Sequence, residues 1–414
     1  SFVVLMSQPY KPYAKALLEK QKYPEMREYE GGPPIPPYDN AGWTLPLQMG
    51  VKCEPIKNPF SVKLKKLEKP PWPEPSVPAD SPYLALDSRI NNSYALAFAL
   101  LKNKVKVFRS KEAIKLDSSS LVPGSFIFKN TSKVRDILNS AVKKWYAPVY
   151  SLKDISKIKK APLKYPRIGL YQSWASNMDE GWTRYVFDDL GVPYKTLHNK
   201  DFKNRKKGLK EDFDVIVFAS EDYQIIKEGQ PRPGSRWARY FTPLPPEYRG
   251  GIGKKGIEAL KKFVEEGGIL VTLNQACELA FKEFKVPASN ATERLDRTKF
   301  FCPTSILRIK VDPTTPIGYG MPEEAAAMFA RSLAMNTWIP SGFWNRKVVA
   351  RYPEDNILLS GWLLGEDKIA RKAAVVDTQY KKGRIILIGI RCQHRAQTHE
   401  TYKFLLNALL YPEF

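Results

Sequence analysis

Four side chains in the second half of the chain have the chemistry of a thiol hydrolase. Cys277 follows the apolar run Ile269 to Leu273, and His394, His399 and Glu400 lie close together near the end of the sequence. A cysteine becomes a nucleophile when a histidine takes its proton and a carboxylate orients that histidine. Cys277 is also compatible with a small buried thiol on a helix, which has no chemical role. The residue types alone leave both interpretations open.

Histidine and cysteine are too sparse to predict a metal site. The chain has three histidines, and none of them has a glutamate three residues later. A zinc peptidase needs several protein ligands and an open position for water. The four cysteines are too dispersed for a paired-cysteine zinc site or a disulfide scaffold, although one or two bridges remain compatible with Cys53, Cys277, Cys302 and Cys392. We predict no metal and no cofactor for this chain.

The elements that must position these residues follow an α/β pattern from about residue 165 to 414. Apolar strands such as Asp214 to Ala219 alternate with amphipathic helices such as Lys254 to Glu266. This alternation predicts a doubly wound, mainly parallel sheet covered by helices. A segment from about 286 to 317 interrupts it and is predicted to be an inserted antiparallel hairpin or edge. Pro322-Glu323-Glu324 predicts the start of a further helix, because proline and acids favour a first turn.

The first part of the chain is predicted to contain an arm and a smaller domain. Two proline-rich stretches, 31–37 and 69–75, indicate that residues 1–78 form an extended arm and linker. Within the arm, the segment Trp43 to Val51 could dock on a neighbouring domain. Residues 79–156 alternate strand and helix patterns and predict a small α/β domain. The lysine-rich stretch Lys153 to Lys164 is interpreted as a linker.

A ligand site is predicted where loops leave the carboxyl ends of the parallel strands, since open α/β sheets bind ligands there. The loops after the first strand, after Ile269 to Leu273 and after the last strand carry acids, amides and arginines. Such groups could hold a zwitterion, a peptide terminus or a sugar, or they could form a buried ion-pair network. The candidates are Asp179, Glu180, Trp182, Arg249, Asn274, Gln275, Arg391, Gln393, Arg395, Gln397 and His399.

Charge and composition narrow the possible partners. Lys and Arg number 66 against 43 Asp and Glu, for a formal net charge of +23. Such a charge could attract an anionic polymer or nucleic acid, but the basic residues are scattered and match no nucleic-acid-binding motif, so a solvated surface is favoured. No apolar run is long enough for a membrane span. Three sequons, at Asn91, Asn130 and Asn290, are candidate glycosylation sites of an exported protein.

Several motifs resemble the C-terminal region of large prokaryotic carboxypeptidase A-like zinc metallopeptidases. They include the segment Tyr171 to Arg184, the segment Pro246 to Gly253, Pro316 to Pro322, and Arg391 to Thr398, and the arm segment Gln8 to Glu19 is similar to the region that follows the peptidase domain. The resemblance implies a fold like class I glutamine amidotransferases for residues 165–414. It also implies export, to the extracellular space, the cell surface or the periplasm. We expect the zinc peptidase domain itself to lie upstream of Ser1.

Active amidotransferases place their nucleophile at a tight elbow directly after a strand. Here Asn274, Gln275 and Ala276 follow the strand, no glycines flank the turn, and Cys277 comes a few residues late. The chain is therefore predicted to be a non-catalytic accessory, binding or structural module of a carboxypeptidase-like protein. Its predicted partner is the upstream peptidase domain, a cleaved partner chain or an extracellular assembly. The alternatives are a thiol hydrolase that uses Cys277 and, with less support, an anion- or nucleic-acid-binding protein.

Overall fold

The chain begins with an arm that lies on the surface of a larger domain. The structure is a computed structural model and describes residues 1–69, 76–117, 119–205, 207–339 and 345–412. The arm carries two short helices, α1 (Lys11–Leu18) and α2 (Leu45–Met49). Its backbone bonds to the domain through Ala41 N, which donates to Thr304 O at 3.0 Å, and Gln48 O, which accepts from Glu400 N at 3.1 Å. Most of the second proline-rich stretch, residues 70–75, lies outside the described residues.

A small domain follows the arm. Five of its strands form an antiparallel sheet in the order β6-β1-β5-β2-β7, and β3 and β4 pair separately. The prediction of a linker at 153–164 was wrong in part, because residues 160–162 form an edge strand. In this strand Ala161 is buried and its two neighbours are more exposed. The elements are β1 (Tyr83–Leu86), α3 (Asn91–Lys102), β2 (Val107–Ser110), β3 (Ile114–Lys115), β4 (Ser120–Leu121), β5 (Phe126–Lys129), α4 (Ser132–Ala141), β6 (Val149–Leu152) and β7 (Lys160–Pro162).

The large domain opens with the alternation that the sequence predicted. Asn177 begins the first helix, because its side chain accepts hydrogen bonds from the backbone of Asp179 and Glu180, and Gly191 follows the end of that helix with φ +64°. The elements are β8 (Ile168–Tyr171), α5 (Met178–Asp189), β9 (Lys195–Leu197), α6 (Asn199–Lys203), α7 (Leu209–Asp212), β10 (Val215–Phe218), α8 (Tyr223–Glu228), α9 (Gly253–Glu265), β11 (Ile269–Leu273) and α10 (Cys277–Leu279).

The rest of the large domain is mostly strand. Its elements are β12 (Ala288–Asn290), β13 (Ser305–Val311), β14 (Glu324–Phe329), β15 (Met335–Thr337), β16 (Asn345–Arg351), β17 (Leu358–Ser360), β18 (Ala373–Tyr380), β19 (Gly383–Ile388) and α11 (Tyr402–Leu409). The main sheet has the order β14-β13-β16-β18-β19-β11-β10-β8-β9. The five strands from β19 to β9 are parallel, and the pairs from β14 to β19 are antiparallel. The fold is mixed α/β.

Helices cover both faces of the parallel strands. In β10, Val215 and Val217 face the cluster that contains α5 and α11, whereas Ile216 and Phe218 face the cluster that contains α6 to α10. Alternate residues of one strand can serve two cores only when both faces are buried, which is why these strands are apolar throughout. The carboxyl ends of the parallel strands are therefore left to the connecting loops.

Two predictions about the antiparallel half need correction. The helix predicted to start at Pro322-Glu323-Glu324 is instead strand β14, which pairs with β13 along six residues. Its alanines have high helix propensity, but pairing and burial of Ala325 to Phe329 override that preference. The insertion predicted at 286–317 is also too short, because β13 from that segment pairs with strands as distant as β14 and β16.

Among the described residues, no helix is long and apolar enough to cross a membrane.

Candidate functional site

Loops that follow four parallel strands bring polar side chains together at one edge of the sheet. We call this group the crevice, and define it by Ser173 after β8, Glu221 after β10, Asn274 after β11, Arg391 after β19, and Asp179 at the start of α5. Four of the five are less than 9% exposed, and Arg391 is intermediate. Buried polar groups are costly unless they are paired, so their concentration at the carboxyl ends of parallel strands indicates a site.

Asn274 occupies the strained turn that directly follows β11. Its φ is +49°, a left-handed conformation that asparagine tolerates better than most residues, and its side chain is fully buried. The amide nitrogen Nδ2 donates to Ser220 Oγ at 3.1 Å and to Ala330 O at 3.3 Å. The amide oxygen Oδ1 has no hydrogen-bond partner among the described residues. The position at which the amidotransferase-like elbow was predicted thus carries a carboxamide with one free acceptor.

Asp179 and Arg391 form an ion pair across the crevice. Arg391 Nη2 lies 3.1 Å from Asp179 Oδ2, and Arg391 Nε is buried without a hydrogen-bond partner in the described part of the chain. Burial raises the pKa of Asp179, opposed by the charges of Arg391 and Arg331. Burial also lowers the pKa of Arg391, and the neighbouring Arg331 and Arg395 lower it further. Arg331 and Arg395 therefore both lie within electrostatic range of Arg391 on this side of the crevice.

The sequence did not identify Ser173 and Glu221 as site residues. Ser173 Oγ donates to Glu221 Oε1 at 2.5 Å, and both residues are buried. Burial raises the pKa of Glu221 to about 7, and the nearby carboxylates of Asp222 and Glu180 add to this effect. Glu221 lies in the loop after β10, a strand that was predicted correctly. The rule that selected Asn274 and Arg391 would have selected it too, had the loop after that strand been included.

The predicted thiol triad is not assembled in this structure. Cys277 is fully buried, its Sγ lies 3.4 Å from Thr272 O, and burial raises the pKa of the thiol to about 12. Glu400 accepts from Ala326 N at 3.0 Å, and a nitrogen of His399 lies 3.2 Å from Ala396 O. Burial lowers the pKa of His394 to about 3, so this ring stays neutral near pH 7. A thiol without a base beside it stays protonated, so the structure opposes Cys277 as a nucleophile.

Several other candidate ligand residues serve the structure instead. Glu180 forms an ion pair with Arg184 one turn along α5, and Gln393 donates to Thr183 Oγ1 at 2.9 Å. Arg249 is exposed and donates to Leu244 O in its own turn. Three further candidates make no crevice contact that the structure describes, and one of them, Trp182, packs edge-on against Tyr185 on α5. These three are Trp182, Gln275 and Gln397.

Two of the three sequon asparagines use the atom to which a glycan would be attached. Asn91 Nδ2 donates to His399 O at 2.8 Å, and Asn130 Nδ2 donates to Ser81 O at 2.7 Å. A glycan replaces only one of the two hydrogens on this nitrogen, so glycosylation at both positions stays a prediction. Asn290 lies on β12 and remains a prediction.

Thiol reactivity provides a direct test of this description. Cys53 is exposed, whereas Cys277 and Cys392 are fully buried. We expect a thiol reagent such as dithionitrobenzoate to modify Cys53 rapidly in the native protein, and Cys277 only when the protein unfolds. In the Cys53→Ser control the rapid phase should disappear, as measured by absorbance and peptide mass analysis. Rapid native labelling of Cys277 in that variant would show that its thiol is accessible.

Comparisons with known proteins do not assign this chain to a family. No family model matches the chain, and no curated protein matches it. A cytoplasmic protein from Salmonella typhimurium is 12% identical over 60% of this chain and 98% of its own, with a TM-score of 0.36. A protein described as ThuA-like from Bacteroides uniformis is 13% identical over 58% and 89%, with a TM-score of 0.31. The β-galactosidase of Bacillus circulans is 9% identical over 66% and 34%, with a TM-score of 0.32. At these values the similarities carry no argument about activity or ligand.

Proposed function

We propose that this chain is a non-catalytic binding module and that the crevice is its ligand site. The fold is proposed to be of the class I glutamine amidotransferase kind, with the antiparallel strands as an extension. The module would serve an exported zinc carboxypeptidase-like protein as an accessory part. The motifs shared with that family support this role, and a His-x-x-Glu segment encoded upstream of Ser1 would add to that support.

The observation that carries the binding proposal is the set of unsatisfied polar atoms at the crevice and in the loop that continues from Arg391. Eight buried side-chain atoms lack a hydrogen-bond partner in the described part of the chain, and three of them follow β11 and β19. These are Asn274 Oδ1, Arg391 Nε and His394 Nε2. Each unsatisfied buried group costs about 1–3 kcal/mol, so their concentration in one place calls for a compensating polar ligand or water. A water would satisfy these atoms without selecting a ligand, and the binding experiment distinguishes the two.

A thermal-shift screen tests whether the crevice binds. The probes are short peptides, small carboxylic acids, and neutral mono- and disaccharides, each added at millimolar concentration. A ligand at one hundred times its dissociation constant stabilises the native state by about 2.7 kcal/mol, which raises the melting temperature by several degrees. We expect at least one class to do so and to be recovered unchanged. A uniform absence of stabilisation across all classes would refute the binding proposal.

The basic surface supports a weaker alternative, binding of nucleic acid. The net charge of +23 would give an affinity that falls steeply as salt increases. A titration with duplex DNA at 50 and 200 mM salt tests this alternative. Absence of binding at the lower concentration would eliminate it.

A further inference from the structure

The positive side of the crevice continues beyond Arg391 to an arginine that the arm already contacts. Arg395 directly follows the buried His394, and its guanidinium binds Asp39 of the arm. The two contacts are 2.9 Å from Nη2 to Oδ1 and 3.3 Å from Nη1 to Oδ2. This two-point geometry is the one by which arginine recognises carboxylates in general.

We propose, on the assumption that the crevice is the ligand site, that the ligand carries a carboxylate which binds between Arg391 and Arg395. Asp39 is proposed to be an internal substitute for that carboxylate, which the ligand displaces from Arg395. The arm would then regulate access to the site.

Charge balance supports a carboxylate on this side. Arg331 and Arg395 both lie within electrostatic range of Arg391. The acids near them are Asp179, which is close to Arg391 and Arg331, and Asp39, which is close to Arg395. Asp179 Oδ2 pairs with Arg391 Nη2 at 3.1 Å. The Nε of that arginine is buried and has no hydrogen-bond partner among the described residues. An added carboxylate could accept from Arg391 Nε and reduce the repulsion among the arginines.

The neighbouring histidine adds a second buried group without a partner. His394 is 4% exposed, its Nε2 has no hydrogen-bond partner among the described residues, and it lies within electrostatic range of Arg391, Arg395 and Asp39. A neutral imidazole nitrogen can donate to a carboxylate when the tautomer places the proton there. Donors from Arg391 and His394 thus flank the position proposed for the ligand carboxylate.

The arm contact is suited to displacement. Asp39 and Arg395 side chains are 59% and 43% exposed, and exposed ion pairs change an equilibrium by about fivefold at most. The arm is anchored beside this contact by Ala41 N and Gly42 N, which both donate to Thr304 O. Asp39 can therefore leave Arg395 without detaching the arm.

Peptides that differ only at the carboxyl terminus test the ligand class. N-acetyl-trialanine carries a carboxylate, and its C-terminal amide does not. We expect the acid to bind the full chain at least tenfold more tightly than the amide in calorimetric titrations. Succinate is the third probe: binding as tight as that of the peptide acid would identify small carboxylic acids as the source, and weaker binding would identify a peptide terminus. Equal binding of acid and amide would overturn the carboxylate assignment while leaving the binding proposal intact.

Two variants test the role of the arm. Asp39→Asn should tighten binding of N-acetyl-trialanine by about two- to fivefold, because the competitor for Arg395 is removed. Asp367→Asn is the matched control, since that exposed acid pairs with Lys368 away from the crevice, and it should change nothing. Arg395→Gln should weaken binding by about two- to fivefold, the range expected for one exposed ion pair. Unchanged or weaker binding in Asp39→Asn would overturn the displacement proposal, and full affinity in Arg395→Gln would overturn the carboxylate position.

Discussion

Replacing Glu221 with glutamine is expected to stabilise the folded protein by about 2–3 kcal/mol at pH 8 and to have little effect at pH 4. Burial raises the pKa of Glu221 from 4.5 to about 7, so the native state holds the proton more tightly than the unfolded state does. Stability from this group is therefore fully present below pH 4.5 and is lost as the pH rises through 7. Each pKa unit corresponds to about 1.4 kcal/mol, and glutamine removes the cost of the buried charge.

The variant retains an acceptor for Ser173 in its amide oxygen, so the contact at 2.5 Å can persist. Urea unfolding at several pH values measures the difference between variant and wild type, which cancels the contributions of other titrating groups. Glu211→Gln, at an exposed position on α7, is the control and should show no such pH dependence. An equal effect of Glu221→Gln at pH 4 and pH 8 would contradict the raised pKa.

Replacing Arg109 with methionine should destabilise the protein by about 3–5 kcal/mol. Its guanidinium is fully buried and, within the described residues, bonds to four neutral acceptors: Gly124 O, Leu410 O, Tyr94 Oη and Asn407 Oδ1. It also lies 5.0–5.4 Å from the ring centroids of Tyr94, Phe126 and Tyr319. Methionine avoids the cost of burying a cation but leaves carbonyl and amide oxygens without this donor, which is the larger effect.

This residue links the small domain to the C-terminal helix of the large domain, since Arg109 lies on β2 and Asn407 on α11. Urea unfolding should show a lower midpoint for the variant than for the wild type. Arg371→Met is the matched control: that side chain is 69% exposed, pairs with Glu354, and should leave the unfolding midpoint unchanged. Similar midpoints for both variants would mean that the buried arginine contributes no more to the stability of the folded protein than an exposed one.

The parallel half of the large domain could be predicted because its strands are buried on both faces and so are continuously apolar. The segment from 214 to 219 needed no tertiary information to be identified as a strand. The antiparallel half could not be predicted in the same way. Glu324 to Phe329 is a strand only because it pairs with β13, and an alanine-rich sequence does not encode that partner. The edge strand at 160–162 was missed because the lysine-rich stretch around it suggested a solvated linker.

The sequence predicted those residues of the site that lie just after a predicted strand. Asp179, Asn274 and Arg391 were selected by their position after predicted strands, and the structure brings them into one crevice. The triad around Cys277 was selected by residue type, which contains no information on burial. The contact between Asp39 and Arg395 joins residues 356 positions apart, and no pattern in either segment indicates it.

The central claim is that the crevice binds a small polar ligand without chemical conversion. The most direct test is a calorimetric titration of wild type, Asn274→Gly and Asn356→Gly with the most stabilising probe from the thermal screen. Glycine retains the left-handed backbone at both positions, where φ is +49° and +53°, but only Asn274 belongs to the crevice. We predict one site per chain in wild type and Asn356→Gly, at least tenfold weaker binding in Asn274→Gly, and recovery of the probe unchanged. Equal affinity in all three proteins, or a converted probe, would contradict the account.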